Sequence, residues 1–181
     1  MAVMIAFLRG VNVGNNILRM ERLREFCAEI GMLNVRTYVQ SGNVVFDAEG
    51  GVTYWAEKLQ KRLLGETRLP VPVIVRTPAD LKRTLDQNPF LKERGMNVTR
   101  LHVTLLAKVP TRTAIRSLPF QIEKYCGGDR YVFSGRDIYL HCPNGYGQSK
   151  LTNGLFEKCL NVRATTRNWN TLNNLFELAQ E

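Results

Sequence analysis

Histidine is nearly missing from this chain, which has only His102 and His141 among 181 residues. Cysteine is sparse as well. Cys27, Cys126, Cys142 and Cys159 stand far apart and form no CxxC pair. His141 and Cys142 are neighbours on an expected strand, so their side chains diverge to opposite faces. That disfavours both a zinc site and a Cys–His nucleophile. No bound metal and no cofactor are expected. The N-terminal "MAVMIAFLRGVNVG" is apolar but short and is interrupted by Arg9. It lacks the basic segment and small-residue cleavage site of a secretory signal. The four thiols are therefore expected to be reduced, in the cytoplasm. No apolar run approaches the length of a membrane span, and no membrane partner is expected. Acidic residues are also in short supply: 16 Asp and Glu face 25 Lys and Arg, a net charge of +9. A surplus of that size favours polyanions, whether nucleic acid or phosphorylated small molecules.

What is present is an ordinary globular balance, 44% hydrophobic and 23% charged. "VMIAFL" reads as a buried strand ending near Gly10. "RMERLREFCAEIG" places Met20, Leu23, Cys27 and Ile30 on one helical stripe, closed by Gly31. Residues 35 to 39 and 43 to 47 read as a hairpin around "QSGN", and "VTYWAEKLQKRLLG" as a second helix. "VPVIVRT" reads as a strand with Pro72 near its start. The order βαββαβ predicts a ferredoxin-like subdomain over residues 1–77.

Residues 78–181 are expected to form a second, smaller α+β subdomain. Its first helix is marked by Thr77 as cap and Pro78 at the first helical position. "FLKERGMN" reads as a polar linker. A strand over 100 to 109, a short helix at "PTRTAIRSL", a hairpin around "SGRD" and two closing helices, near 150 to 160 and 167 to 179, complete it. No internal repeat is evident. The expected fold class is α+β.

"PNGYGQSKL" outlines a phosphate loop. Gly145 and Gly147 allow unusual backbone angles, Ser149 is a natural helix cap, and Lys150 adds a point charge. The order Ser-Lys and the glycine spacing exclude a Walker loop. The simpler alternative is a glycine turn with Ser149 capping its own helix. In "ATTRNWNT", Thr165 or Thr166 is read as a cap, with Arg167 and Asn168 in the first turn. Arginine there is unfavourable unless an anion lies near. Arg9 ends the first strand, and Asn12 lies between glycines. "GVNVG" lacks the third glycine and the acidic follower of a dinucleotide fingerprint. Gln40, Ser41 and Asn43 offer polar groups on a turn whose default explanation is hairpin chemistry.

Three of these stretches, "AFLRGVNVGNN", "YVQSGNVVF" and "GYGQSKL…TTRNWNTLNNL", resemble in order the bacterial domain of unknown function family 1697. The first loop departs from the family pattern: "VGNNILRM" stands where a second glycine and a lysine often occur. The resemblance implies a ferredoxin-like N-terminal part and a second α+β part, and it carries no activity with it. If the two parts pack face to face, the four polar loops line a cleft. The expected function is then a binding module for a phosphate-bearing ligand, a nucleotide or nucleic acid. Its ligand-binding residues are Arg9, Asn12, Gln40, Ser41, Asn43, Ser149, Lys150, Thr166, Arg167 and Asn168. The alternative is an enzyme acting on a phosphorylated small molecule, with Ser149 as nucleophile beside Lys150 and Arg167 as clamp.

Overall fold

The computed structural model describes residues 1–13, 17–67 and 70–181. The protein is α+β, with two four-stranded antiparallel sheets and six α-helices among the described residues. The chain divides into two compact units. Unit 1 comprises residues 1–83 and 174–181, and unit 2 residues 84–173. No helix among the described residues is long and apolar enough to cross a membrane.

Unit 1 runs β1 (Ala2–Leu8), α1 (Met20–Glu29), β2 (Leu33–Tyr38), β3 (Asn43–Ala48), α2 (Val52–Thr67) and β4 (Val73–Arg76). Its strand order is β2-β3-β1-β4, so the first strand lies inside the sheet. The helical stripes do what their spacing predicts. Leu23, Phe26 and Cys27 of α1 and Trp55, Leu59 and Leu63 of α2 cover Met4, Ala6 and Leu8 of β1 and Val44 and Phe46 of β3. Each fully buried Leu or Phe contributes roughly 1.5–3 kcal/mol. The other face of β1 is equally buried, with Ile5 and Phe7 both at 0% exposure. This explains why the strand reads as a continuous apolar run rather than an alternating one. Helix α3 (Pro78–Asp86) follows. The Thr77 hydroxyl accepts from the Asp80 amide at 3.1 Å, as the cap reading requires.

Unit 2 runs β5 (Leu101–Leu106), α4 (Arg112–Cys126), β6 (Arg130–Ser134), β7 (Asp137–His141), α5 (Asn153–Leu160) and β8 (Ala164–Asn168). The order is β6-β7-β5-β8, the topology of unit 1 repeated. The sequence reading found no repeat, because only the spacing of elements recurs and the residues do not. Helix α6 (Trp169–Leu178) closes the chain. Leu118 and Ile122 of α4 and Phe156 and Leu160 of α5 pack on Leu106, Ile138, Leu140 and Ala164.

Four expectations are corrected. The helix expected from about 150 starts at Asn153 and is capped by Thr152, not Ser149. Residues 164 to 168 are a strand, not a helix start. Thr165 and Thr166 are β-branched and fit a ladder, and that ladder pairs Thr104 with Thr166 and Val103 with Arg167. Helix α4 runs on to Cys126 through Pro119, because Leu118 and Ile122 anchor both sides of the break in the core. The "FLKERGMN" stretch is no simple linker, since Pro89–Lys92 forms a 3-10 helix and Phe90 is buried.

Gly42, in the β2–β3 turn, has φ +70°, and a Cβ there would stand 2.8 Å from the Leu8 Cβ and 3.3 Å from the Val11 Cβ. Gly42→Ala combines positive-φ strain with a steric overlap against the central strand. It should lower stability by about 2 kcal/mol or more, read as a reduced urea midpoint. Gly51→Ala, where a Cβ meets nothing within 4 Å, is the control with little effect.

Candidate functional site

In unit 1 the first loop and the hairpin turn meet at one end of the sheet. The Leu8 amide donates to the Gly42 carbonyl at 2.8 Å, and the Arg9 amide to the Pro72 carbonyl at 2.9 Å. Asn12 ties the two loops together. Its amide donates to the Gln40 carbonyl at 2.7 Å and the Leu18 carbonyl at 3.0 Å, and its oxygen accepts from the Leu18 amide at 2.7 Å. Asn12 adopts φ 57°, a left-handed conformation that asparagine tolerates better than most residues. Asn43 is fully buried and donates to the Ser41 hydroxyl at 2.8 Å and the Tyr38 carbonyl at 3.3 Å. Arg9 is half-buried, while Gln40 and Ser41 are exposed. So "RGVN" and "QSGN" do converge, and the asparagines hold the turn while Gln40 and Ser41 stand at its tip. Residues 14 to 16, the part of "RGVNVGNN" that departs from the family pattern, lie outside the described residues.

In unit 2 the "PNGYGQSKL" loop is built from a turn and a short 3-10 helix, Tyr146–Gln148. The Ser149 hydroxyl accepts from the Leu151 amide at 3.0 Å and so closes a local turn. Lys150 is exposed beside it. Above this loop lies a polar cluster on the helix-facing side of β5 and β8. The Thr166 hydroxyl donates to the Asn153 side-chain oxygen at 2.7 Å and accepts from the Tyr146 hydroxyl at 3.1 Å. Its one proton is thus committed, so Thr104, at 2.7 Å, is the donor in the Thr104–Thr166 pair. The Tyr146 ring stacks on His102 with centroids 5.1 Å apart. Asn168 caps α6 by accepting from the Asn170 amide at 2.9 Å. Its own amide lies 3.3 Å from the Thr99 carbonyl and 3.4 Å from His102 Nε2.

Arg167 points to the other face of the sheet from Thr166. It donates to the Thr165 hydroxyl at 2.8 Å and the Thr166 carbonyl at 2.9 Å. The residue is half-buried overall, but its charged head is enclosed, and burial pushes its pKa down to about 10 against the opposing pull of Tyr146. As Arg167 sits on a strand, the helix-end argument for an anion beside it falls. Two cations that the sequence reading missed belong to this region. Arg100 places Nη1 3.1 Å from where a Gly145 Cβ would stand, and the φ of +89° is what favours glycine there. Lys124, from the end of α4, lines with Lys150 a hollow of about 270 Å3 that also includes the Gly127–Gly128 pair, Asn144, Gln148 and one carboxylate, Asp129. Neither approach had a local signal, because each joins segments more than 20 residues apart.

His141 and Cys142 do diverge. The His141 ring lies by Phe90, with centroids 6.1 Å apart, whereas Cys142 is in the helix-side core and burial pushes its thiol up to about 11. Among the described residues no group of three His, Cys, Asp or Glu is placed to hold a metal.

The basic surplus is uneven. Unit 1 carries twelve Lys and Arg against ten Asp and Glu, a surplus of two, and unit 2 thirteen against six, a surplus of seven. Unit 1 also pairs its cations: Arg62 lies 2.7 Å from Glu29, Arg22 2.7 Å from Glu25, and Arg24 3.3 Å from Glu21.

A family model described as a protein of unknown function, DUF1697, matches residues 1–139, and the chain belongs to that family. The first two motifs lie within the matched span, and "GYGQSKL" and "TTRNWNTLNNL" lie beyond it. Among solved structures, a conserved bacterial protein from Streptococcus pneumoniae is similar over 100% of this chain and 99% of its own, with 18% identity and a TM-score of 0.74. That likeness concerns the fold. No curated protein matches the sequence.

Two outcomes follow from this geometry. Asn12→Ala removes one hydrogen bond that joins the first loop to the hairpin and two that hold the loop to the Leu18 backbone. It should cost roughly 2–3 kcal/mol in urea unfolding, with Gln40→Ala close to neutral. His102 has its pKa held below the ordinary 6.5, first by burial and then by the nearby Arg100 charge, against the Arg100 backbone and Asp129. The unfolded chain therefore takes up that proton before the folded one does. Stability contributed by the neutral ring is present above about pH 6.5 and lost as pH falls toward the folded value. Unfolding midpoints from pH ~7 to ~5 should show that decline, and His102→Gln should remove part of it.

Proposed function

We propose that this member of the DUF1697 family is a binding module for a phosphate-bearing ligand, a nucleotide or nucleic acid, held chiefly by unit 2. The observation that carries the reading is the hollow beside the "GYGQSKL" loop. Lys150 and Lys124 enter it from separate segments, with amide groups from Asn144 and Gln148 and the backbone of two glycines. Ammonium groups supply charge there, and side-chain and backbone amides supply neutral donors, the mixture that phosphate oxygens accept. The surplus of seven basic charges in unit 2 raises the local concentration of anions around it. Arg9, Gln40 and Ser41 belong to unit 1 and line no part of this hollow. Asn12, Asn43, Ser149, Thr166, Arg167 and Asn168 serve it by fixing the loops and strands. We read both units as ferredoxin-like, from their shared βαββαβ order, and the four free thiols as those of a cytoplasmic protein.

The test is thermal unfolding at low salt against inorganic phosphate, nucleotides, sugar phosphates and short oligonucleotides. A ligand at about 100 times its Kd should stabilise the native state by about 2.7 kcal/mol and raise the midpoint by several degrees. Lys150→Ala and Lys124→Ala should each diminish that rise, and both changes lie on the surface, where folding is little affected. Unchanged midpoints with every phosphate compound would overturn the reading.

A further inference from the structure

Helix α4 has two sides of different character. Its inward stripe, Leu118 and Ile122, is buried in the unit 2 core. Its outward side carries Arg112, Arg116, Phe120 and Lys124, each four residues after the last and all exposed. Residues so spaced share a helix face, each about 6 Å further along the axis. Phe120 is 84% exposed, the most exposed large apolar residue of the described chain. A lone exposed aromatic needs no explanation, but one with cations a turn before and a turn after it does.

The helix is also electrostatically uncomfortable. Arg112 occupies its first turn, at the positive end of the helix dipole, and no acidic residue in that turn offsets it. Arg112 and Arg116 repel each other at i,i+4 spacing. The helix has one carboxylate, Glu123. The sheet end that feeds α4 adds to the charge. The Arg136 carbonyl accepts from the Leu106 amide at 2.8 Å, and the Arg163 carbonyl from the Ala107 amide at 2.9 Å. Thus Arg136 and Arg163 flank the last residues of β5, and Lys108 follows directly. Lys108, Arg112, Arg116 and Arg163 are exposed, and none makes an ion pair among the described residues, unlike the arginines of unit 1.

We propose that the outward face of α4, continued by Lys108, Arg136 and Arg163, is a docking surface for single-stranded nucleic acid. The arginines and lysines neutralise successive phosphates, and Phe120 gives one unpaired base a stacking platform. A polyanion here also relieves the repulsion within the first turns of α4. An anionic bilayer fits less well, because the apolar stripe of α4 is spent in the core and leaves no apolar face to enter lipid. A duplex would use the cations but not the aromatic ring, since its bases are already stacked. The proposal rests on the reading that unit 2 takes phosphate-bearing partners, but not on the hollow at Lys150.

The experiment is fluorescence anisotropy with the full chain and a labelled single-stranded oligonucleotide, the matching duplex, and, by co-sedimentation, vesicles of phosphatidylcholine with or without phosphatidylserine. Affinity for the single strand should fall steeply between about 50 and 200 mM salt. The double change Arg112→Glu with Arg116→Glu should weaken binding by tenfold or more and flatten the salt slope. Phe120→Ala should weaken single-strand binding roughly tenfold with the slope unchanged. Unfolding midpoints of these variants should be no lower than the parent's, which separates lost contact from lost fold. Lys61→Ala, an exposed change on α2 of unit 1, should leave oligonucleotide affinity within about twofold. The proposal is overturned if the single strand does not bind at low salt. It is also overturned if Phe120→Ala changes nothing, or if the charge reversals abolish vesicle binding while the oligonucleotide is unaffected. Loss of oligonucleotide binding with Lys150→Ala but not with the reversals would likewise sink it and leave the hollow as the site.

Discussion

The structure depends on one constraint, the burial of a central strand on both faces in each unit. In β1 every residue from Met4 to Leu8 is buried, and β5 is buried from Leu101 to Leu106. A strand in that position has no solvent side to carry a polar pattern, so its neighbours must be fixed in register by the ladder and by turns that permit no slack. Gly42 against Leu8 is the place where this is most direct. The helices then only need to supply stripes to one face, which they do at ordinary spacing.

The same constraint explains the polar chemistry of unit 2. His102 and Thr104 project from a buried strand, so the Thr104 hydroxyl is met by Thr166 and His102 Nε2 by Asn168 rather than by water. That network looks like a site when written as a motif, yet each hydroxyl in it has a structural partner. The groups left toward solvent are of another kind, cations on turns and on the outer side of α4. Polar satisfaction and charge are therefore separated within one unit, the first inside and the second at its rim.

Much of this was legible in the sequence, and the reasons for success and failure are physical. The elements of unit 1 follow from a continuous apolar run, two helical stripes and glycine turns, all local signals. The family resemblance and the α+β class held. The errors cluster where local chemistry has two solutions. Ser149 and Thr152 are both good caps, and the core contacts of Phe156 and Leu160 select the later one. Thr165 and Thr166 suit a cap or a strand, and only pairing with β5 decides. The short helix expected at "PTRTAIRSL" stops before Pro119, and the buried Leu118 and Ile122 on either side carry the helix through it. Arg100 at Gly145 and Lys124 near Lys150 were out of reach, because nothing near them in sequence announces a partner.

The last eight residues have a consequence for synthesis. Asn174–Glu181 belongs to unit 1. Asn174 donates to the Tyr38 hydroxyl, and Glu181 lies 3.2 Å from Arg36. The segment that completes the first unit is thus made only after all of the second. On the ribosome, β1 to β4 emerge early with one part missing, while residues 84–173 are contiguous and can close on themselves at once. Domains generally fold in order of emergence. Here the order of completion is reversed, and the first unit receives its last segment only when residues 174–181 reach it.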